Sequence, residues 1–536
     1  MVKSEYDVII IGAGISGLSS AALLSKHGLS CLVLEKQPVI GGYLQGFKRG
    51  AFIFDTSIHW LNQCGPDGMV TRVFRLIGED YPQVESMSKI HRFKSEGLDY
   101  LLTNNPDELK AQLIQNFPHE RKGIEKFFRV AKKIGIASKR FSTLMRTTES
   151  MSGIERLQKG LKTFRTIIPM IPYALYSGDK AVKKGLNLFF KDQKLHQLFS
   201  SETDLLSCLF PIAWAYNNDY QMPIKGGGQS FPKWLKEKTD AFGGDIELKA
   251  TVSKIETENQ KVTGVRYIQN GEEKYIKSKY VISAVDLETL YREWIPQSTQ
   301  TRLFVEKLQQ AELYYSGATV SIALDCPARD IGIFDELTSI TRHDIARSEH
   351  SKGDPLKSAI SIISPSERDS SLSPTNQGTL NIYIPAEISH NDYWQIERDN
   401  HGQLIRGERY KKYKEEFAQQ LIKRVETSLN IDIRSHILFY DVSTPITYWR
   451  YTGNKNGTIM GARPGKKNMQ LKIAQYKTPI ENLWVSGHWA ELGGGVPIAV
   501  KSAFNASLLL LQKENKPLFE QMCRYIDGKA DISVVD

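Results

Sequence analysis

The feature that most limits how this chain can fold is a glycine triplet set between two apolar strands near its start. Tyr6 to Ile11 is a run of strand formers that leads directly into Gly12-Ala13-Gly14-Ile15-Ser16-Gly17. The apolar segment from Leu18 to Leu24 reads as a helix ending near Gly28. Leu29 to Leu34 then reads as a second buried strand, closed by Glu35. In such a βαβ unit the first glycine permits the tight turn, the second lets backbone approach a pyrophosphate, and the third lets helix pack on strand. The pyrophosphate would rest on amides at the helix N-terminus, where the dipole favours negative charge. Glu35 stands where a carboxylate accepts hydrogen bonds from ribose hydroxyls. The fold class expected is therefore α/β, with a Rossmann-like dinucleotide-binding domain.

Which dinucleotide follows from the next residues. A carboxylate at Glu35 disfavours a 2′-phosphate, and Gly41-Gly42-Tyr43 follows, then Phe47 and Phe52-Ile53-Phe54-Asp55. A second glycine pair shortly after the acid resembles the extended signature of flavin-dependent amine oxidases and phytoene-desaturase-like enzymes. The resemblance implies FAD as cofactor, with Gly41 and Gly42 beside its diphosphate and ribityl region. Gly226-Gly227-Gly228 and the glycines at 461 and 465 lack the strand–glycine–helix context, so a second dinucleotide unit is not expected.

The far end of the chain supplies a partner. Asn482-Leu483-Trp484-Val485-Ser486-Gly487 reads as a buried strand ending in glycine, followed by Gly493-Gly494-Gly495-Val496-Pro497 and an apolar helix from Ile498. This resembles the closing FAD motif of phytoene desaturases and carotenoid isomerases. The resemblance places Gly487, Gly494, Gly495, Val496 and Pro497 at the flavin, with helix amides facing negative charge on the reduced ring. Pro497 suits a first helical turn. Mid-chain, the segment 223–235 and Val252 resemble the family's return to the FAD domain, with Val252 contacting adenine. The chain is thus expected to leave and re-enter a discontinuous FAD domain (1–85, 223–294 and 470–536). A mainly helical part (86–222) and a mixed α+β substrate domain (295–469) complete it.

Phe54-Asp55-Thr56-Ser57-Ile58-His59-Trp60 resembles a pattern of retinol saturases, whereas residues 493–497 resemble desaturases and isomerases. The mixed signature implies flavin chemistry at carbon–carbon double bonds of a long polyene or isoprenoid, with its direction open between desaturation, saturation and isomerisation. The cofactor carries that chemistry and the protein supplies an apolar channel. His59 and His488 are the candidate catalytic residues, each alternatively a structural, hydrogen-bonded histidine. Glu491 could hold a ribityl hydroxyl or cap the following helix, and Trp60 and Trp489 could wall the channel or simply pack.

Composition narrows the setting. The formal charge is +10, which permits attraction to anionic membrane surfaces but accompanies no nucleic-acid module. Basic residues mix with apolar ones over 121–140 and 163–190. Such helices suit either docking on a bilayer or packing against a neighbouring domain. The five scattered cysteines point to a reducing compartment. With no cleavable leader and no long apolar run, the location expected is cytoplasmic, with peripheral attachment to the cytoplasmic membrane face. The polar stretch 364–377 is expected to lack order. Two other readings compete: an amine oxidase, and a non-catalytic prenyl-lipid carrier of the GDP-dissociation-inhibitor type. Intact glycines and Glu35 disfavour the carrier.

Overall fold

A computed structural model describes residues 3–56, 59–399 and 404–535. Two seven-stranded sheets organise the chain. In the first, Glu5–Ile11 lies between Cys31–Glu35 and Glu272–Ser283, parallel to both. Asp245–Leu248 extends the sheet on the far side of Cys31–Glu35, and Leu483–Val485 adds to Glu272–Ser283, again in parallel. Continuous apolar runs such as Val8–Ile11 and Cys31–Leu34 are fully buried, as a sheet covered on both faces requires. An antiparallel meander of Thr251–Glu258, Lys261–Gln269 and Glu272–Ser283 completes the order.

Two helices meet on one face of this sheet. Ile15–Lys26 and Gly495–Glu514 bring small residues together: Ser16 and Ser20 against Ser502 and Ala503. Small side chains let the two backbones approach closely, so Ser20 Oγ reaches the carbonyl of Ala503 at 3.4 Å. Gly495–Glu514 has the length and apolar character of a membrane span, yet 67% of its apolar window is buried inside the molecule. It is a core helix.

The second sheet runs Ile437–Ser443, Ser316–Leu324, Gly378–Ala386, Ile360–Ile363, Leu337–Ile340, Lys89–Ser95, Leu98–Thr103. Its alternation is plain. Ala318, Val320, Ile322, Leu380, Ile382, Ile384, Ile360 and Ile362 pack on one face under Phe417, Leu421, Ile422 and Val425 of the helix Glu408–Leu429. The opposite face carries Thr319, Ser361 and Tyr383, of which Ser361 and Tyr383 line the interior cavity described below.

Three expectations change here. The segment 86–222 opens with a β-hairpin, Lys89–Ser95 and Leu98–Thr103, that pairs with Leu337–Ile340 of the second sheet. Only the remainder is helical. The helix Thr299–Gln309, assigned from sequence to the substrate domain, buries Phe304, Val305 and Leu308 in the core of the first sheet. Apolar pairing, not chain position, decides its side. The stretch 364–377 is ordered, with Ser364 and Leu372 buried. Arg368, inside this stretch, pairs with the largely covered Glu336, and Asp369 accepts the amide of Gly226 at 2.6 Å.

Part of the helix Arg121–Ser142 packs inside the protein. Phe127, Phe128 and Ile134 enter a core shared with the helix Leu205–Tyr216. At Gly135 the two helices approach so closely that a Cβ would lie 2.5 Å from the carbonyl oxygen of Ala213. Phe127, Phe128, Ala131 and Ile134 are thus packed against protein, whereas Ile136 and Phe141 stay exposed.

Candidate functional site

A cavity of about 2020 Å³ runs between the two sheets. That is roughly twice the upper end of the range of about 300–1,000 Å³ common for a single small ligand. The space suits a large cofactor together with a second molecule. At one end the wall is the glycine loop and Glu35; at the other it is aromatic and helical.

Gly12, Gly14, Ile15 and Ser16 line the cavity at the N-terminus of Ile15–Lys26. Gly12 has φ +100°, and a Cβ there would sit 2.9 Å from Val285 Cγ1. Gly17 faces away from the cavity. A Cβ on it would lie 1.9 Å from the carbonyl oxygen of Gly12, so this glycine serves helix-to-strand contact. Gly14 is different: its φ is −70° and a Cβ would meet nothing within 4 Å. Neither backbone nor packing demands glycine at this position, only the space in front of it. Gly41 closes the loop, its amide donating to the Ala13 carbonyl at 2.8 Å, and Gly42 sits against Gly14.

Glu35 is buried beneath this loop. Its Oε2 accepts the amide of Ala13 and its Oε1 that of Gln37, both at 2.8 Å. Burial pushes the carboxyl pKa up, and the two amides oppose that shift. Glu35 therefore braces the glycine loop as well as facing the cavity. Ala250 and Val252 line the wall beside it, where Ala250 donates to the Glu35 carbonyl at 2.9 Å.

A second helix N-terminus opens on the same space. Gly494, Gly495, Val496 and Pro497 line the cavity at the start of Gly495–Glu514, with Gly487 nearby. Neither helix has a side-chain cap or an acidic residue in its first turn. Two bare positive helix ends in one cavity form an anion site. They are tied together: Ser16 Oγ and Ser486 Oγ lie 2.6 Å apart, and Ser502 Oγ accepts the amide of Gly487 at 2.7 Å. This serine link was not legible in the sequence, because its members are separated by hundreds of residues. The open space before Gly14, the two uncapped helix ends and Glu35 fit an FAD molecule spanning both ends of the chain.

His59, Trp60, His488 and Trp489 also line the cavity. The His59 ring lies 5.2 Å from that of Tyr383, and the His488 ring 6.2 Å from that of Tyr43. Burial alone pushes both imidazoles down to about 4, so both are neutral at physiological pH. His59 Nδ1 and His488 Nε2 have no hydrogen-bond partner among the described residues. Ser57 and Ile58 of the same motif lie outside the described residues. Trp489 is buried, its indole N–H donating to Asn454 Oδ1 at 3.1 Å. Glu491 is not in the cavity wall. It pairs with Lys501 Nζ at 2.6 Å and accepts the Tyr476 hydroxyl, so its carboxylate is engaged within the protein rather than by a ribityl hydroxyl or as a helix cap.

The sequence reading also missed Glu202, which lines the helical end of the cavity. Burial, reinforced by Asp204, raises its pKa to about 7. A carboxyl of this kind is neutral below that pH and anionic above it. An apolar ligand binds more weakly beside an anion, so kcat/KM should fall as pH rises through about 7. A pH profile of Glu202→Gln should lose this inflection, while His59→Asn and His488→Asn should keep it.

A family model for flavin containing amine oxidoreductases matches residues 15–511. The chain belongs to that family. This flavoprotein is an FAD-dependent oxidoreductase. It is 27% identical over 515 residues to the chloroplastic prolycopene isomerase of Daucus carota, covering 92% of this chain and 78% of that protein. It is 24% identical to the all-trans-retinol 13,14-reductase of Danio rerio, covering 91% of this chain and 83% of the other. Identity is again 24% to a 4,4'-diapophytoene desaturase of Methylomonas sp, at 94% and 95% coverage. Among solved structures, an oxidoreductase from Methanosarcina mazei shares the fold with a TM-score of 0.58 at 15% identity, covering 95% of this chain and all of that one.

Proposed function

We propose that this flavoprotein acts on carbon–carbon double bonds of a long, apolar polyene or isoprenoid, by saturation, desaturation or cis–trans isomerisation. The observation that carries the reading is the cavity itself. From the glycine cradle it continues into an arm walled by Trp60, Leu206, Phe210, Trp214, Tyr220 and Tyr383. The relatives named above for isomerase, reductase and desaturase activities support the same substrate class. A bound flavin would supply hydride or electron transfer at carbon.

The chain's own residues supply the rest. The two helix N-termini and the space before Gly14 would hold and orient a diphosphate, and Glu35 would face the ribose. Neutral His59 and His488 both line the cavity, able to orient a ligand or hold a proton without adding charge to it. His59→Ala is expected to lower turnover by about 100-fold with flavin retained. Unchanged turnover would leave His59 a packing residue.

The reading is tested by titrating the holoenzyme with a carotene or retinoid in detergent micelles. A saturable shift in the flavin absorption spectrum is expected. Alkyl amines of similar length should leave the spectrum unchanged, and the opposite pattern would overturn the proposal.

A further inference from the structure

The helix Gly153–Ile167 inverts the usual arrangement of an amphipathic helix. None of its residues is buried. Ile154, Leu157, Leu161, Phe164, Ile168 and Ile171 repeat at alternating spacings of three and four, the signature of one continuous apolar face. Ile154 is 74% exposed and Leu157 67%. Single exposed leucines are ordinary, but a contiguous row at helical spacing is not.

It is the polar side that ties this helix to the body. Ser152 and Glu155 form a reciprocal capping box, with Glu155 Oε2 accepting the Ser152 amide at 2.9 Å. Arg146, itself buried, donates to Glu155 Oε1 at 3.1 Å and to Asp527 Oδ2 at 2.9 Å. Lys159 donates to the carbonyl of Arg146. The apolar row is left facing outward.

The row ends at the cavity. Leu175, 79% exposed, continues the same spacing and also lines the cavity wall, as do Phe141 and Met469. Lysines and arginines surround this mouth. Lys162 and Arg165 flank the row, Lys139 and Arg140 end the helix Arg121–Ser142, and Lys466 and Lys467 line the rim. Basic charge around an outward apolar face matches an anionic bilayer, where each lysine or arginine near the surface contributes about 1 kcal/mol.

We propose that residues 153–175 form a docking surface for an anionic lipid bilayer, seating the cavity mouth against it so that a lipid-dissolved substrate enters directly from the hydrocarbon. The entry route rests on the polyene reading given above; the docking surface does not.

Flotation of the flavin-loaded full chain tests it, using phosphatidylcholine vesicles with and without phosphatidylglycerol at low salt. Wild type should float with the anionic vesicles. Partition should fall at least about tenfold on pure phosphatidylcholine, and similarly for the triple variant Leu157→Gln, Leu161→Gln, Phe164→Gln. None of those three side chains lines the cavity. The variant should keep its flavin colour and wild-type turnover of micelle-dispersed substrate, yet turn over vesicle-held substrate more slowly. Equal flotation of variant and wild type would overturn the proposal. So would a wild-type dimer that ignores vesicles and becomes monomeric in the variant, because the row would then be an interface between copies. If flotation holds but no polyene is turned over in either form, the functional reading fails and the docking surface stands.

Discussion

Gly14→Asp is expected to give a folded, colourless protein. The backbone at Gly14 has φ −70°, and a Cβ would meet no protein atom within 4 Å, so the substitution meets no steric barrier to folding. Its carboxylate would project into the space before the helix N-terminus, where a diphosphate must lie. Two like charges about 4 Å apart, at an effective dielectric of about 20, repel by about 4 kcal/mol, or roughly a thousandfold in affinity. Gly17→Ala provides the contrast. There a Cβ would lie 1.9 Å from the carbonyl oxygen of Gly12, and backbone on both sides cannot yield. That variant should lose flavin because the loop no longer forms, with a stability loss of about 3 kcal/mol. Flavin content measured beside thermal unfolding separates the two. Full flavin occupancy in Gly14→Asp would contradict the placement of the diphosphate.

Arg368→Met should be the most damaging substitution away from the cofactor. Its side chain is 8% exposed and pairs with Glu336, 11% exposed, in a region that also holds Asp55 and the loop 226–228. Removing the guanidinium strands a buried carboxylate, a loss of about 3–5 kcal/mol for pairs of this kind. Glu336 already has its pKa raised to about 7 by burial. A group so raised favours the folded state while protonated and loses that contribution as pH rises through its folded pKa. The deficit of Arg368→Met should therefore be larger at pH 8 than at pH 6. Adding Glu336→Leu should recover most of it, and denaturant melts at the two pH values check both statements.

Much of the nucleotide half of the fold is readable in sequence because its determinants are local. Gly12, Gly14 and Gly17 sit within one turn-and-helix, and strands such as Cys31–Glu35 are continuous apolar runs. The closing motif at 493–497 is equally compact. Features that depend on distant pairing are not readable in this way. The hairpin at 89–103 belongs to the second sheet only because Leu337–Ile340 lies alongside it. Thr299–Gln309 looks like any amphipathic helix until the core receiving Phe304 is known. Ser364 to Gln377 has the composition of a loose loop, and Arg368 orders it through Glu336, far away in the chain. The same holds in the site. His59 and His488 announce themselves by motif, whereas Glu202 acquires its raised pKa from burial and from the neighbouring Asp204, which only the folded chain supplies. Glu491 shows the converse, since the sequence leaves it open between a ribityl contact and a helix cap, and Lys501 in the following helix takes the carboxylate instead.

The central claim is that the cavity joins a flavin to a polyene. It is tested most directly by incubating purified holoenzyme with a carotene or retinoid, and separately with primary amines, then resolving the products by chromatography and mass spectrometry. The polyene should gain or lose a pair of hydrogens, exchanged with an external donor or acceptor, or keep its mass while changing retention. Unaltered polyenes together with oxidation of an amine to its aldehyde would contradict it.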